Sequence, residues 1–286
     1  MKNFEYLMRA LSEPAYITMD SHRNLDNLLD AWMQGKIQAV AKGPDEKETV
    51  EQEEVELAIN PIQTIKVRGV LMRRADAFSE ACFGACSAAR IQKQAEFCRT
   101  NDAVRAVVLD INSPGGQVAG TLEAANAIYR LAQEKPVIAA VESLAASGGY
   151  FLASQANRII AEPTALLANI GVYMAYYDDS EWMKKHGYRL EVFRAGKFKA
   201  AGMGRPLQKE EEDQYQTIVD QAYVQFKEAV LRCRPEVADG SMQGLIYSAS
   251  DAMDLKLCDE VSDDLDAAVA TAIAEVLSTL SDSNIE

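Results

Sequence analysis

The chain has 286 residues, 48% of them hydrophobic, enough to bury one sizeable α/β domain with appendages or two small domains. Its formal net charge of -14 argues against nucleic acid as a partner, because phosphate binding needs concentrated Lys and Arg that the sequence lacks. Five cysteines with no CxxC pair fit a reducing compartment and argue against a disulfide framework or a zinc site, so no metal is expected.

Residues 1 to about 43 are expected to be largely helical, since Leu25, Leu28, Leu29 and Trp32 fall at helical spacing. The opening ten residues are too charged for a signal peptide, and no stretch reaches the ~18 apolar residues of a membrane span. Residues 44–56 are acidic and read as a solvated linker. A strand is expected over 62–72, where Ile65, Val67 and Leu71 alternate with more polar neighbours. At four-residue spacing Cys82 and Cys86 would share one face if they lay on a helix, a packing pattern when no further ligands accompany them.

Residues 104–111 read as a buried strand, and Asn112-Ser113-Pro114-Gly115-Gly116 as a turn opening a helix at about 117–133. A second buried strand at 136–142 leads to Ser147 at the mouth of the next helix. Provided these strands are parallel, two strand-to-helix turns expose backbone N–H groups at one edge of a sheet, where ligands bind in open α/β folds. A serine hydroxyl beside such donors can act as a nucleophile whose oxyanion is stabilised as it forms. Each segment also has a plain structural reading: Ala-Ala-Ser-Gly-Gly as tight packing, Ser-Pro-Gly-Gly as a chain reversal.

A long helix is expected over 208–233, with Glu210, Glu211 and Glu212 at its positive end and Tyr215, Ile218, Val219, Ala222, Phe226 and Val230 on one face. Residues 263–280 read as a final helix. Of the two histidines, His22 lies far amino-terminal, and His186 with Gly187 after it reads as a helix carboxyl end, so neither is expected to serve as a base for Ser147.

Four segments, Asp110 to Gly116, Ala145 to Tyr150, Ile170-Gly171-Val172 and Gly196-Lys197-Phe198-Lys199-Ala200, resemble in order and spacing the signal peptide peptidase A and phage protein C family of serine peptidases. The resemblance covers roughly residues 60–265. It implies an α/β fold class, a Clp-protease or crotonase-like spiral of repeated ββα units. On it, 1–56 is a helical amino-terminal segment with its acidic linker, 57–265 the peptidase core, and 266–286 a carboxyl-terminal helix and tail.

The resemblance further implies a Ser-Lys dyad, with Ser147 as nucleophile, Lys199 as general base, and the N–H groups of Gly116 and Gly148 as oxyanion hole. Lysine removes a proton only when neutral, which demands desolvation or nearby positive charge. Lys197, two residues away, faces oppositely in an extended segment and reads as solvated or structural. The sequence departs from the family at Asn169, where relatives commonly carry a serine that bonds the lysine; an asparagine carbonyl can accept from the amine in its place.

No cofactor is implied. Polypeptide substrates are, together with a homo-oligomeric ring in which the lysine can reach the serine of a neighbouring subunit. With no membrane anchor legible, the phage branch is expected: a head maturation protease in the host cytoplasm, within the procapsid, cutting capsid or scaffold proteins. A soluble bacterial relative, a non-proteolytic scaffold and an acyl-CoA enzyme with the same two-donor hole are the alternatives.

Overall fold

The computed structural model describes residues 15–17, 61–76, 79–80 and 84–282. His22, Cys82, the acidic linker and nearly all of the segment expected to be helical lie outside these residues.

Alternation in Ile62–Arg68 (β2) buries Gln63, Ile65 and Val67 and exposes the residues between them, as a strand covered on one face requires. The expected strand is broken at Gly69, whose φ of +85° suits glycine and where a Cβ would lie 1.6 Å from the carbonyl oxygen of Gly84. Beyond this kink the chain runs into Val70–Met72 (β3), then Ala85–Ser87 (β4) and the helix Ala88–Thr100 (α1), which Ser87 caps by accepting from the Arg90 N–H.

The unit then repeats. Ala106–Ser113 (β5) breaks at Pro114 into Gly115–Gln117 (β6), followed by Thr121–Glu134 (α2). The expectation that Ser-Pro-Gly-Gly opens a helix directly is therefore corrected. It moves the chain from one sheet to another, and the helix starts only after Gly120 at φ +90°.

Val137–Ala146 (β7) leads into the short helix Gly148–Ala153 (α3). After it come Arg158–Ala161 (β8), Leu166–Ala168 (β9), Ser180–Lys185 (α4), Lys209–Cys233 (α5), Ile246–Ser248 (β10), Ala249–Asp254 (α6), Glu260–Val261 (β11) and Leu265–Asp282 (α7).

The larger sheet has the order β10-β9-β7-β5-β2, with β8 also on β7 and β11 on β8; all its pairs are parallel except β10 with β9. The α/β class with a parallel sheet is thus what the chain forms. One apolar core lies on the face covered by α1, α2 and α3, with Phe226 of α5, and a smaller one forms where Ala272 and Ile273 of α7 meet Ala106, Ile138 and Ile160.

The second sheet has the order β1-β6-β3-β4, where β1 is Ala15–Ile17. These three residues are strand where the sequence reading has helix. The edge of β6 offers them an antiparallel backbone ladder, and tertiary pairing overrides the local spacing.

Candidate active site

β7 pairs with β5 on one side. On the other it pairs with β8 through 138–141 and then with β9 through 144–146. Its register with β5 jumps from Ile111↔Val141 to Ser113↔Ala145, an irregularity just before the strand ends. Ser147 follows at φ 52° and ψ -118°, a conformation that costs a non-glycine residue on the order of 1–3 kcal/mol and persists only where its surroundings impose it.

They do impose it. The Ser147 N–H donates to Ala168 O at 2.7 Å, and Ser147 O accepts from the Phe151 N–H at 2.8 Å. The side chain makes no capping hydrogen bond, and the residue is 1% exposed. Its hydroxyl is therefore held at a sharp strand-to-helix junction without being spent on the helix it precedes.

Gly148 is the first residue of α3, so its N–H has no acceptor within the helix. α3 packs against β5 and β6 so closely that a Cβ on Gly149 would come within 2.7 Å of Ser113 O. Ser113 in turn ties both kinks together: its Oγ donates to Gly69 O at 2.6 Å and accepts from the Gly115 N–H at 3.2 Å. Gly116 lies one residue further, in β6 and not at a helix start, with Leu71 opposite it in β3.

α3 is anchored from below. Tyr150 donates to Leu257 O at 2.9 Å, with burial pushing its phenol up from the usual range, and Phe151 stacks on Phe226 of α5 at 4.4 Å.

Asn169 directly follows the acceptor of the Ser147 N–H. Both Ala168 and Asn169 have positive φ, 81° and 54°. The Asn169 side chain donates to Gly244 O at 2.7 Å, and its N–H to Leu245 O at 2.8 Å. With its amide nitrogen fixed this way, Oδ1 remains as the acceptor end. Asn169 also lines a cleft of about 470 Å³ whose other walls include Val172, Tyr173, Asp220 and Tyr223.

Lys199 lies elsewhere. Residues 184–199 are all exposed, and the stretch after α4 forms neither helix nor strand. Lys199 is fixed by its backbone, its N–H donating to Gly196 O and its carbonyl accepting from Arg194, and its amine makes no hydrogen bond to Ser147 or Asn169 within the chain. Around it the arm displays Trp182, Tyr188, Leu190, Val192, Phe193 and Phe198 to solvent, Phe193 at 94%.

The root of the arm is firm. Tyr176 donates to Gly202 O and Arg205 O, and Arg205 forms a two-pronged pair with Glu211 of α5. That pair, and the Gln208 N–H also bonded to Glu211, hold the Glu211 carboxyl down at about 2. Lys197 pairs with Glu210, the structural part expected of it. His186 is the carboxyl cap of α4, with Gly187 at φ 76° and its Nδ1 2.8 Å from Trp182 O.

The chain thus brings Ser147, Gly148 and Asn169 together, sets Gly116 in the neighbouring strand, and leaves Lys199 on the exposed arm. Sequence reasoning passed over Ser113 and Ala168. Ser113 was visible only as a turn residue; Ala168 acts through its carbonyl and φ, which no side chain announces.

Comparison with known proteins bears on this arrangement. Residues 129–277 match the model of peptidase family S49, a span holding Ser147, Asn169 and Lys199. The protease-named MJ0651 chain of Methanocaldococcus jannaschii is 37% identical over 175 residues, covering 58% of this chain and 55% of that one. Capsid assembly protease C of Escherichia phage lambda is 28% identical over 215 residues, covering 73% and 48%. The chain therefore spans about half the length of these curated relatives. Among solved structures, a ClpP1 mutant from Listeria monocytogenes aligns at TM-score 0.43 and 13% identity, covering 76% of this chain and 98% of that one.

Proposed function

The chain belongs to peptidase family S49, and from that premise we propose that it is a serine endopeptidase with Ser147 as nucleophile and Lys199 as base. The observation carrying this reading is the strained Ser147 backbone, held between Ala168 O and α3 with its hydroxyl uncommitted. In the reaction, neutral Lys199 takes the Ser147 proton as Oγ attacks the scissile carbonyl. The N–H groups of Gly116 and Gly148 receive the oxyanion, the protonated lysine returns its proton to the leaving amine, and water then hydrolyses the acyl-enzyme.

A buried serine and an exposed lysine favour assembly before catalysis. Lys199 sits on an apolar, solvent-facing arm, and docking that arm on a second copy would desolvate its amine, the change that makes lysine a base. On this reading the dyad is shared between subunits of a homo-oligomer, with Asn169 Oδ1 orienting the incoming amine.

Ser147→Ala and Lys199→Ala should each lower kcat by at least ~10³-fold with the fold intact, as removal of a nucleophile or its base does. Mixing the two inactive variants should restore activity if the lysine acts across subunits. Normal turnover by Lys199→Ala would sink the dyad.

For substrate we propose capsid or scaffold polypeptides, cut in the host cytoplasm during head maturation; the lambda relative, named a capsid assembly protease, supports the capsid setting. The archaeal relative supports a cellular peptidase equally well, so the substrate itself must decide. Mass spectrometry of the protein co-expressed with a neighbouring capsid gene product would do so: cleavages lost in Ser147→Ala support the phage reading, and an uncut capsid protein removes it.

A further inference from the structure

β6 has β3 on one side and, among the described residues, only Ala15–Ile17 on the other. The pairing is antiparallel, with Ala15 opposite Gln117, Tyr16 opposite Gly116 and Ile17 opposite Gly115. Without those three residues, β6 would present a bare edge of backbone donors and acceptors.

Such an edge is where an extended peptide adds itself to a sheet, gaining affinity from backbone hydrogen bonds whatever its side chains. This edge is also next to the candidate chemistry. Gly116 is its central residue, Ser113 fixes its entry by bonding Gly115, and α3, which Ser147 precedes, packs against it. A peptide added along the side of β6 that β1 covers runs past Gly116, where Tyr16 now stands.

We infer that Ala15–Ile17 is a resident occupant of the substrate's strand position. The amino-terminal segment competes within the chain for the β6 edge, and a polypeptide binds there only after displacing it. The inference rests on the reading of Gly116 and Ser147 as oxyanion donor and nucleophile. A tethered segment acts at an effective concentration that can reach the order of mM, so even three residues of ladder form a real competitor.

The test uses the full chain carrying Ser147→Ala, so that binding is read without turnover. The probe is a fluorescein-labelled peptide of residues 12–20, Ser-Glu-Pro-Ala-Tyr-Ile-Thr-Met-Asp. Adding Tyr16→Pro and Ile17→Pro removes one backbone donor from each side of β1, so the ladder to β6 loses one, and should tighten peptide binding, read by anisotropy, by about 10-fold or more. Hydrogen exchange at 115–117 should quicken in the proline variant and slow again when peptide is added.

Unchanged affinity, or unchanged exchange at 115–117, would overturn the inference. Should the double variant fail to fold, Ala15→Gly, Tyr16→Gly and Ile17→Gly together carry the same expectation, through weakened strand propensity. With Ser147 intact, the proline pair should raise kcat/KM on an unstructured peptide by a similar factor. A chain that shows the binding shift but never cleaves keeps the competing strand and sinks the peptidase reading instead.

Discussion

Gly149 sets how close the nucleophile's helix can come to the neighbouring strand. A methyl group there would stand 2.7 Å from Ser113 O, and since that atom is backbone, α3 would have to move. Gly149→Ala should cost about 1–3 kcal/mol of stability as an overpacked site. It should also lower kcat by about 10²-fold, because a shift near 1 Å carries Ser147 and Gly148 away from Gly116. Gly240→Ala is the control, since a Cβ there meets nothing within 4 Å and both quantities should hold. Equal effects from the two substitutions, in thermal melts and peptide turnover, would remove the close-approach account. At this scale the sequence was partly legible. Ser147 and its glycines stand out by residue type, whereas the Ser113 hydroxyl bridging two kinks, and the Ala168 carbonyl that holds the Ser147 backbone, are matters of backbone position that residue type leaves silent.

The arm and the helix that roots it were legible to different degrees. α5 runs over Lys209–Cys233 where apolar spacing placed a helix at 208–233, because a long amphipathic period is the strongest signal a sequence carries. The arm has no period, and its lysine was found only through a motif. What fixes the arm's end is Glu211, nearly buried, bonded to Arg205 and to the Gln208 N–H. Its carboxyl is lowered from 4.5 to about 2, chiefly by the Arg205 hydrogen bond. Because the folded value lies below the unfolded one, this stabilisation is complete above about pH 4.5 and is lost as pH falls toward 2. Glu211→Gln should therefore melt below wild type at pH 6, with the two curves converging as pH approaches 2. Parallel curves across that range would assign the acid sensitivity to other groups.

For the molecule as a whole, the apolar runs at 104–111 and 136–142 announced the buried strands found at Ala106–Ser113 and Val137–Ala146, while their parallel pairing was legible only through the resemblance. The second sheet did not follow, since strands of three residues are too short for alternation to register. Nor did the strand at Ala15–Ile17, whose partner lies about a hundred residues away in sequence. The proposed assembly gives the exposed aromatic side chains a testable purpose. Phe193→Asp, at a residue 94% exposed, should leave protomer stability within about 0.5 kcal/mol while reducing both oligomer mass and activity. Unaltered mass by sedimentation would place the subunit contact elsewhere.

The run from 186 to 199, exposed and outside helix or strand, has one more consequence, for the lifetime of the protein. Backbone that is wholly exposed and outside any helix or strand is what a peptidase can draw into its cleft, and here Arg189, Arg194, Lys197 and Lys199 also offer trypsin-like cut points. A protomer caught alone would be nicked there first, keeping its sheets and Ser147 but losing the continuity of the segment that carries Lys199. If copies shelter one another's arms, as the proposed shared dyad requires, they would outlast strays, and wear would prune the population toward the assembled form.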